Sequence, residues 1–202
     1  MSRLSMCADL INDSEDNGYS ILDVGCRGKE LKALLNNVGR YQGIDLEVSD
    51  EVIAHDLEDP VPMDDESFDV AVALDVVEHV ENSHQLVHEL LRVASKKVII
   101  SLPNMYHWRF RINVLLGRDI GGKYKFPTHP IKDRHRWVTS YNSSKDFIMA
   151  NSSGYDVTIL PIIIERRLNK PFQLLDYLGA KLFPNLFAYG CMYVLTKTSS
   201  DT

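Results

Sequence analysis

The sequence predicts an α/β fold built on a mostly parallel sheet, and three observations carry that prediction. Short apolar runs alternate with segments of helical periodicity through the first hundred residues, the pattern of strands joined by helical crossovers. The run 68–74 is apolar enough to be a strand buried on both faces. Several runs stop abruptly at glycine, aspartate or proline, as strands do at the edge of such a sheet.

The elements follow in order. Residues 19–24 form the first strand candidate and end in Gly25 and Gly28. Residues 31–38 have helical spacing, with Gly39 as a stop. Residues 41–46 and 52–55 are the second and third strands. After the turn-rich VPMDDES comes 68–74, and then an amphipathic helix over 82–93, with Leu86, Val87, Leu90, Leu91 and Val93 on its apolar face. The strand 97–102 is closed by Pro103-Asn104. Residues 105–141 break the pattern with Gly117, Gly121, Gly122, Pro127 and Pro130 and read as an irregular insert or lid over the sheet's carboxyl edge. A helix over 143–153 is capped by Ser143 or Asn142. Strands at 157–164 and 189–197 flank a helical stretch over 171–187, which permits an antiparallel last pair. The expectation is a Rossmann-like, seven-stranded sheet with helices on both faces, in one domain over 1–202.

Composition narrows the class. At 202 residues, 45% hydrophobic and 25% charged, the chain suits one core. Its start lacks the layout of a signal peptide, and no apolar run reaches the length of a membrane span, so the cytoplasm is expected. Cys7, Cys26 and Cys191 form no CxxC pair; neither a disulfide scaffold nor a cysteine zinc site is indicated, and no metal-ligand set is read. The net charge of −6 hides a split: −13 over residues 1–100 against +7 over 101–202. Eight Lys or Arg lie between Arg109 and Arg136, which points the two halves toward different partners.

Ligands of open parallel sheets bind beyond the carboxyl ends of the strands, and four such ends carry suggestive residues. In Asp23-Val24-Gly25-Cys26-Arg27-Gly28 the glycines allow a sharp turn against the amides that follow. A dinucleotide loop would need glycine where Arg27 and Glu30 stand, and Glu30 would repel a phosphate. Asp45, closing YQGIDLE with Leu46 after it, is placed to accept two ribose hydroxyls or to cap a helix. Asp56 and Leu57 could meet an adenine, or form a solvated acidic turn. Leu74 and Asp75 lead into Val76-Val77-Glu78-His79-Val80, where His79 is a base or a capping histidine.

ILDVGCRGKE, YQGIDLE, HDLED and SFDVAVALDVVEHV fall in the order and spacing of the class I S-adenosylmethionine (SAM)-dependent methyltransferases, and the chain resembles that family over roughly residues 15–165. DVVEHV is similar to the branch containing the ubiquinone and menaquinone enzymes. VIISLPNMYHWRFRINVLLGR resembles the MetW group over about 96–140. The resemblance implies that Asp23, Gly25, Cys26, Arg27 and Gly28 line the methionine end of SAM, Asp45 and Leu46 the ribose, Asp56 and Leu57 the adenine, with Leu74 and Asp75 beside the methionine. The family loop D-x-G-C-G-x-G has Arg27 and Lys29 at its second and third glycines here.

In-line methyl transfer, which leaves S-adenosylhomocysteine, rests mainly on alignment. A base is needed only where the acceptor loses a proton; His79 and His107 lead, with Tyr106 and His135 behind. The basic, aromatic stretch 106–137 suits a small anionic acceptor such as a phosphorylated or nucleotide-linked sugar or a phospholipid precursor, unless its bases pair with the acidic half. RNA suits it less well, since no nucleic-acid module is visible, and DNA is not expected. Residues 174–187 could rest on a membrane surface, though packing on the sheet is the simpler reading. Two other functions compete: a non-catalytic SAM-binding partner of a biosynthetic enzyme, and an NAD-dependent oxidoreductase, which Glu30 disfavours.

Overall fold

The computed structural model describes residues 2–14, 18–120, 124, 128–129, 134–163 and 170–198, apart from the side chains of 170–172 and 175. Its strands are β1 (Tyr19–Val24), β2 (Val38–Asp45), β3 (Val52–Ala54), β4 (Phe68–Leu74), β5 (Ala94–Pro103), β6 (Tyr155–Ile162) and β7 (Gly190–Lys197). They form a seven-stranded sheet in the order β3-β2-β1-β4-β5-β7-β6. The first five are mutually parallel, and β7 runs antiparallel to both β5 and β6. The chain turns back at β1, so the carboxyl ends of β1 and β4 flank the switch point where ligands of such sheets gather.

Both faces of the central strands are buried. Leu22, Val24, Ala71, Ala73, Val98 and Ile100 point to one cluster. It is covered by Leu86, Val87, Leu90 and Val93 of α2 (Ser83–Val93) and Ile148 of α4 (Tyr141–Ala150). Ile21, Val70, Val72 and Ile99 point to the other, covered by Cys7, Ala8 and Ile11 of α1 (Arg3–Asn12). Burial on two sides removes the polar alternation of a half-exposed strand, which is why 68–74 reads as a single apolar run.

Three expectations need correction. The helix over 31–38 is only a 3-10 turn at Lys32–Leu34, and Val38 already opens β2. Leu31 is buried in the core, with Leu35 and Val38 only partly buried against it, and Asn37 adopts φ +55°. Asn12 at the end of α1 binds both Leu34 O (3.1 Å) and Asn36 N (2.9 Å). The sheet face that this helix was to cover is held by α1 instead, which the sequence reading did not assign. Second, the insert is not irregular throughout, since α3 (Trp108–Leu115) lies within it; parts of the remainder, including Gly121, Gly122, Pro127 and Pro130, fall outside the described residues. Third, α4 starts at Tyr141, two residues early, under a reciprocal Ser140–Ser143 cap. The helical stretch before β7 is α5 (Lys170–Leu182) and the single turn α6 (Pro184–Phe187). Among the described residues no helix is long and apolar enough to cross a membrane.

Candidate functional site

The loop after β1 keeps the backbone of a glycine-rich turn although two of its residues carry side chains. Gly25 adopts φ +72°, Arg27 φ +46° and Lys29 φ +60°. A Cβ on Gly25 would sit 2.4 Å from Val76 Cγ2, so the first glycine is required by both conformation and space. At the other two positions left-handed residues with side chains are present, Arg27 exposed and Lys29 partly buried. Lys29 Nζ donates to Asp50 O at 2.7 Å, tying the loop to the turn before β3. Arg27→Gly is therefore expected to shift unfolding stability by less than about 1 kcal/mol, relieved strain offsetting added backbone entropy. Arg27→Val should cost about 1–2 kcal/mol. Urea titrations of the two variants check this. Cys26 is buried against Gly43, and burial, with Asp23 and Asp45 nearby, pushes its thiol up to about 12; it is an inert packing group.

Acidic groups converge on this loop. Asp23 is 4% exposed and accepts a hydrogen bond from Tyr41 Oη at 2.7 Å. Burial raises its carboxyl to about 7 against the Tyr41 bond, which lowers it, and the charges of Glu30 and Asp45 add to the rise. Asp45 spans the ends of β1 and β2: Arg27 N donates to its Oδ2 at 2.8 Å and Leu46 N to its Oδ1 at 2.7 Å. Leu46 and Gly28 are exposed beside it. Asp45 O accepts from His55 N at 2.8 Å, which brings the end of β3 alongside. Asp56, just beyond, is exposed and holds Glu58 N at 3.1 Å, while Leu57 packs on the core. Asp23 and Asp45 thus share one neighbourhood, and Asp56 flanks it.

The end of β4 is bound more tightly than its sequence suggests. Leu74 is half-buried, and Asp75 takes φ +54°. One oxygen of Asp75 accepts from Ser101 Oγ at 2.6 Å; the other meets Arg3 Nη1 at 2.7 Å. Arg3 enters from α1, an element with no motif of its own, and no local signal could have linked it to Asp75.

Beyond Asp75, the turn Val77–His79 meets the segment 134–139. Arg136 N and Trp137 N both donate to Glu78 O, at 2.9 and 3.2 Å, and Trp137 Nε1 donates to Val80 O at 2.9 Å. Arg136 also pairs with Glu58 and Glu81, at 3.1 and 2.9 Å; at this residue the basic half does bind the acidic half. The Glu78 side chain is buried, His79 Nδ1 lies 2.9 Å from Arg134 O, and the His79 and His135 rings stand 4.4 Å apart. A cavity of about 260 Å³ opens here, lined by Glu78, His84, Leu102, Trp137, Thr139 and Phe147 among others. It does not touch Asp23, Asp45 or Asp56; it lies across the switch point from them. His107 is elsewhere: 1% exposed, it caps α3 by accepting Arg109 N at 3.3 Å and packs on Tyr189. Tyr106 is exposed nearby. Asn104 is another residue that the sequence reading passed over. It holds Tyr106 N and Tyr141 N with its oxygen and the carbonyls of Asn185 and Ala188 with its amide.

Comparison with known proteins places the chain in a family and matches its fold. A family profile described as "Methionine biosynthesis protein MetW" matches residues 6–195. No curated protein gives a match. Among solved structures, a small RNA methyltransferase is similar at a TM-score of 0.65 and 14% identity, over 99% of this chain; this chain spans only 25% of that one. A methyltransferase crystallised in complex with an activator protein from Haloferax volcanii gives a TM-score of 0.56 and 16% identity, over 94% of this chain and 86% of the other. Magnesium protoporphyrin IX methyltransferase from Synechocystis, solved with S-adenosylhomocysteine bound, gives 0.57 and 16%, over 96% and 81%. At these identities the likeness concerns the fold.

Proposed function

We propose, from the premise that the chain belongs to the methionine biosynthesis protein MetW family, that it binds SAM at the β1–β4 strand ends and methylates a small anionic molecule. The observation that carries this reading is the acidic neighbourhood of the glycine turn: burial raises the Asp23 carboxyl to about 7, and the charges of Glu30 and Asp45 add to the rise. Such a field suits a cationic aminoacyl sulfonium and opposes a pyrophosphate. The turn that would hold the cofactor depends on Gly25, whose missing Cβ lets Val76 pack against the loop.

In this reading Asp23, Gly25, Cys26, Arg27 and Gly28 hold the methionine end, Asp45 and Leu46 the ribose, and Asp56 and Leu57 the adenine. Leu74 and Asp75 close the side toward β5, and Arg3 keeps Asp75 oriented. When bound, SAM supplies an electrophilic methyl group. The cavity beside Glu78 is where the chain's own residues would orient an acceptor and exclude water. Trp137 and Phe147 offer apolar walls, and the basic stretch between Arg109 and Arg136 draws an anion. For a base, His79 adjoins the cavity-lining Glu78, whereas His107 is assigned a capping role by its burial.

Calorimetry with SAM, followed by an acceptor screen that reads S-adenosylhomocysteine release, tests the proposal. Absence of SAM binding in the folded chain overturns it. Asp45→Ala is expected to weaken S-adenosylhomocysteine by about 1–3 kcal/mol; unchanged affinity removes Asp45 from the site. One observation favours a second reading. Val114, Leu115 and Leu116 at the end of α3 are exposed, Leu115 by 84%, a face suited to another protein. Tight SAM binding without turnover on any acceptor would make the chain an accessory partner rather than an enzyme.

A further inference from the structure

We propose that Glu78, His79 and His135 form a binding site for one divalent transition-metal ion. One ligand atom from each of the three lies within 4.8 Å of the others. Ligands of one such ion, bound at about 2.1 Å, lie roughly 3–3.5 Å apart. Side-chain rotations that draw the set together by roughly 1.5 Å would complete the site.

The hydrogen bonds behind the two imidazoles select the required tautomers. His79 Nδ1 faces the carbonyl oxygen of Arg134 at 2.9 Å, an acceptor only, so Nδ1 carries the proton and Nε2 the lone pair. His79 Nε2 stands 3.9 Å from Glu78 Oε1. His135 Nδ1 faces Tyr124 Oη at 2.6 Å, and that phenol donates its single proton to Trp137 O at 3.1 Å. The Tyr124 oxygen is left to accept from His135 Nδ1–H, which again puts the lone pair on Nε2. An imidazole held from behind by an oxygen acceptor is the arrangement that orients and strengthens a metal-bound histidine.

The third donor, the Glu78 carboxylate, is 1% exposed and lines the cavity. The two halves of the site come from segments more than fifty residues apart. They are pinned by the bonds from Arg136 N and Trp137 N to Glu78 O and from Trp137 Nε1 to Val80 O, so the backbone that carries the three donors is tied together before any ion arrives. Two neutral nitrogens and one carboxylate oxygen suit Zn²⁺, Co²⁺, Fe²⁺ or Mn²⁺ over Mg²⁺ or Ca²⁺, which favour all-oxygen sets. Three protein donors leave further positions for oxygen ligands, and Glu78 lines the cavity where they would enter. With an ion bound, His79 is a ligand and no longer available as a base; the metal site otherwise stands apart from the methyltransferase reading.

The test uses the full chain, stripped with a chelator and without SAM, titrated with Zn²⁺ by calorimetry and with Co²⁺ by visible absorption. One equivalent of Co²⁺ should give ligand-field bands, and Zn²⁺ should displace it. His135→Ala and His79→Ala, each shown folded by circular dichroism, should weaken Zn²⁺ by about 100-fold or more, and Tyr124→Phe by about 10-fold. Glu78→Gln should weaken Zn²⁺ while retaining the buried shape. Absence of a saturable single site in the wild-type chain, or unchanged Zn²⁺ affinity in both histidine variants, overturns the proposal. S-adenosylhomocysteine calorimetry on the same samples reads the cofactor separately, so failure of one proposal leaves the other standing.

Discussion

Asp23→Asn is expected to stabilise the protein at pH 8 by about 2–3 kcal/mol and to weaken its hold on SAM. The native carboxyl titrates near 7, well above its ordinary 3.8, because burial opposes the charge and Glu30 and Asp45 repel it. Such a group is bound to its proton more tightly in the folded chain than in the unfolded one. Its contribution to stability is whole below about pH 4 and is lost as the pH rises through 7. Moving a carboxyl from 3.8 to about 7 corresponds to on the order of 4 kcal/mol. An asparagine has no charge to bury and keeps an oxygen for Tyr41 Oη. It adds an amide donor that needs a partner, at a cost of about 1–2 kcal/mol. Urea unfolding at pH 5 and pH 8 measures the difference: wild type should lose stability across that interval, and the variant should lose less. Parallel curves would show that Asp23 is ionised throughout. The same charge would serve a cationic ligand, so SAM affinity should rise with pH through 7 in the wild type and stay flat in the variant.

Gly25→Ala has the second large effect. The new Cβ would lie 2.4 Å from Val76 Cγ2, at a residue held at φ +72°. The left-handed conformation costs an alanine about 1–2 kcal/mol, and overpacking against the buried Val76 about 1–3 kcal/mol more. A loss of roughly 2–5 kcal/mol in unfolding free energy follows. In the fraction that folds, the shifted turn should lose tenfold or more in SAM affinity, about 1.4 kcal/mol. Should Gly25→Ala and wild type bind SAM alike, the turn after β1 is not where the cofactor rests.

The two central observations differ in how visible they were before folding. Residues 19–24 and 68–74 announce themselves because strands buried on both sides must be apolar throughout, and their bounds match β1 and β4. The acids Asp23, Asp45 and Asp56 stood out because each lies at or just beyond the end of a strand, where the chain changes from apolar to polar. The helix expected over 31–38 had the right spacing and the wrong outcome. Periodicity says which residues could share a face, not whether another segment will cover that face first, and α1 does. His107 had an aromatic, basic context that suggested chemistry; the structure seats it under Tyr189 as a cap.

By itself, the sequence determined the α/β class, the seven-stranded count, the antiparallel character of the last strands and the presence of a turn at Gly25 after β1. These depend on neighbours in the chain and on the period of burial, which local composition records. Only the tertiary structure decided that Arg3 braces Asp75, that Arg27 and Lys29 adopt the conformation of the glycines they replace, and that His135 comes to stand beside Glu78 and His79. Those pairings join residues tens of positions apart, and their partners are selected by where the sheet's twist and the covering helices bring the chain back. No spacing in the sequence encodes that return.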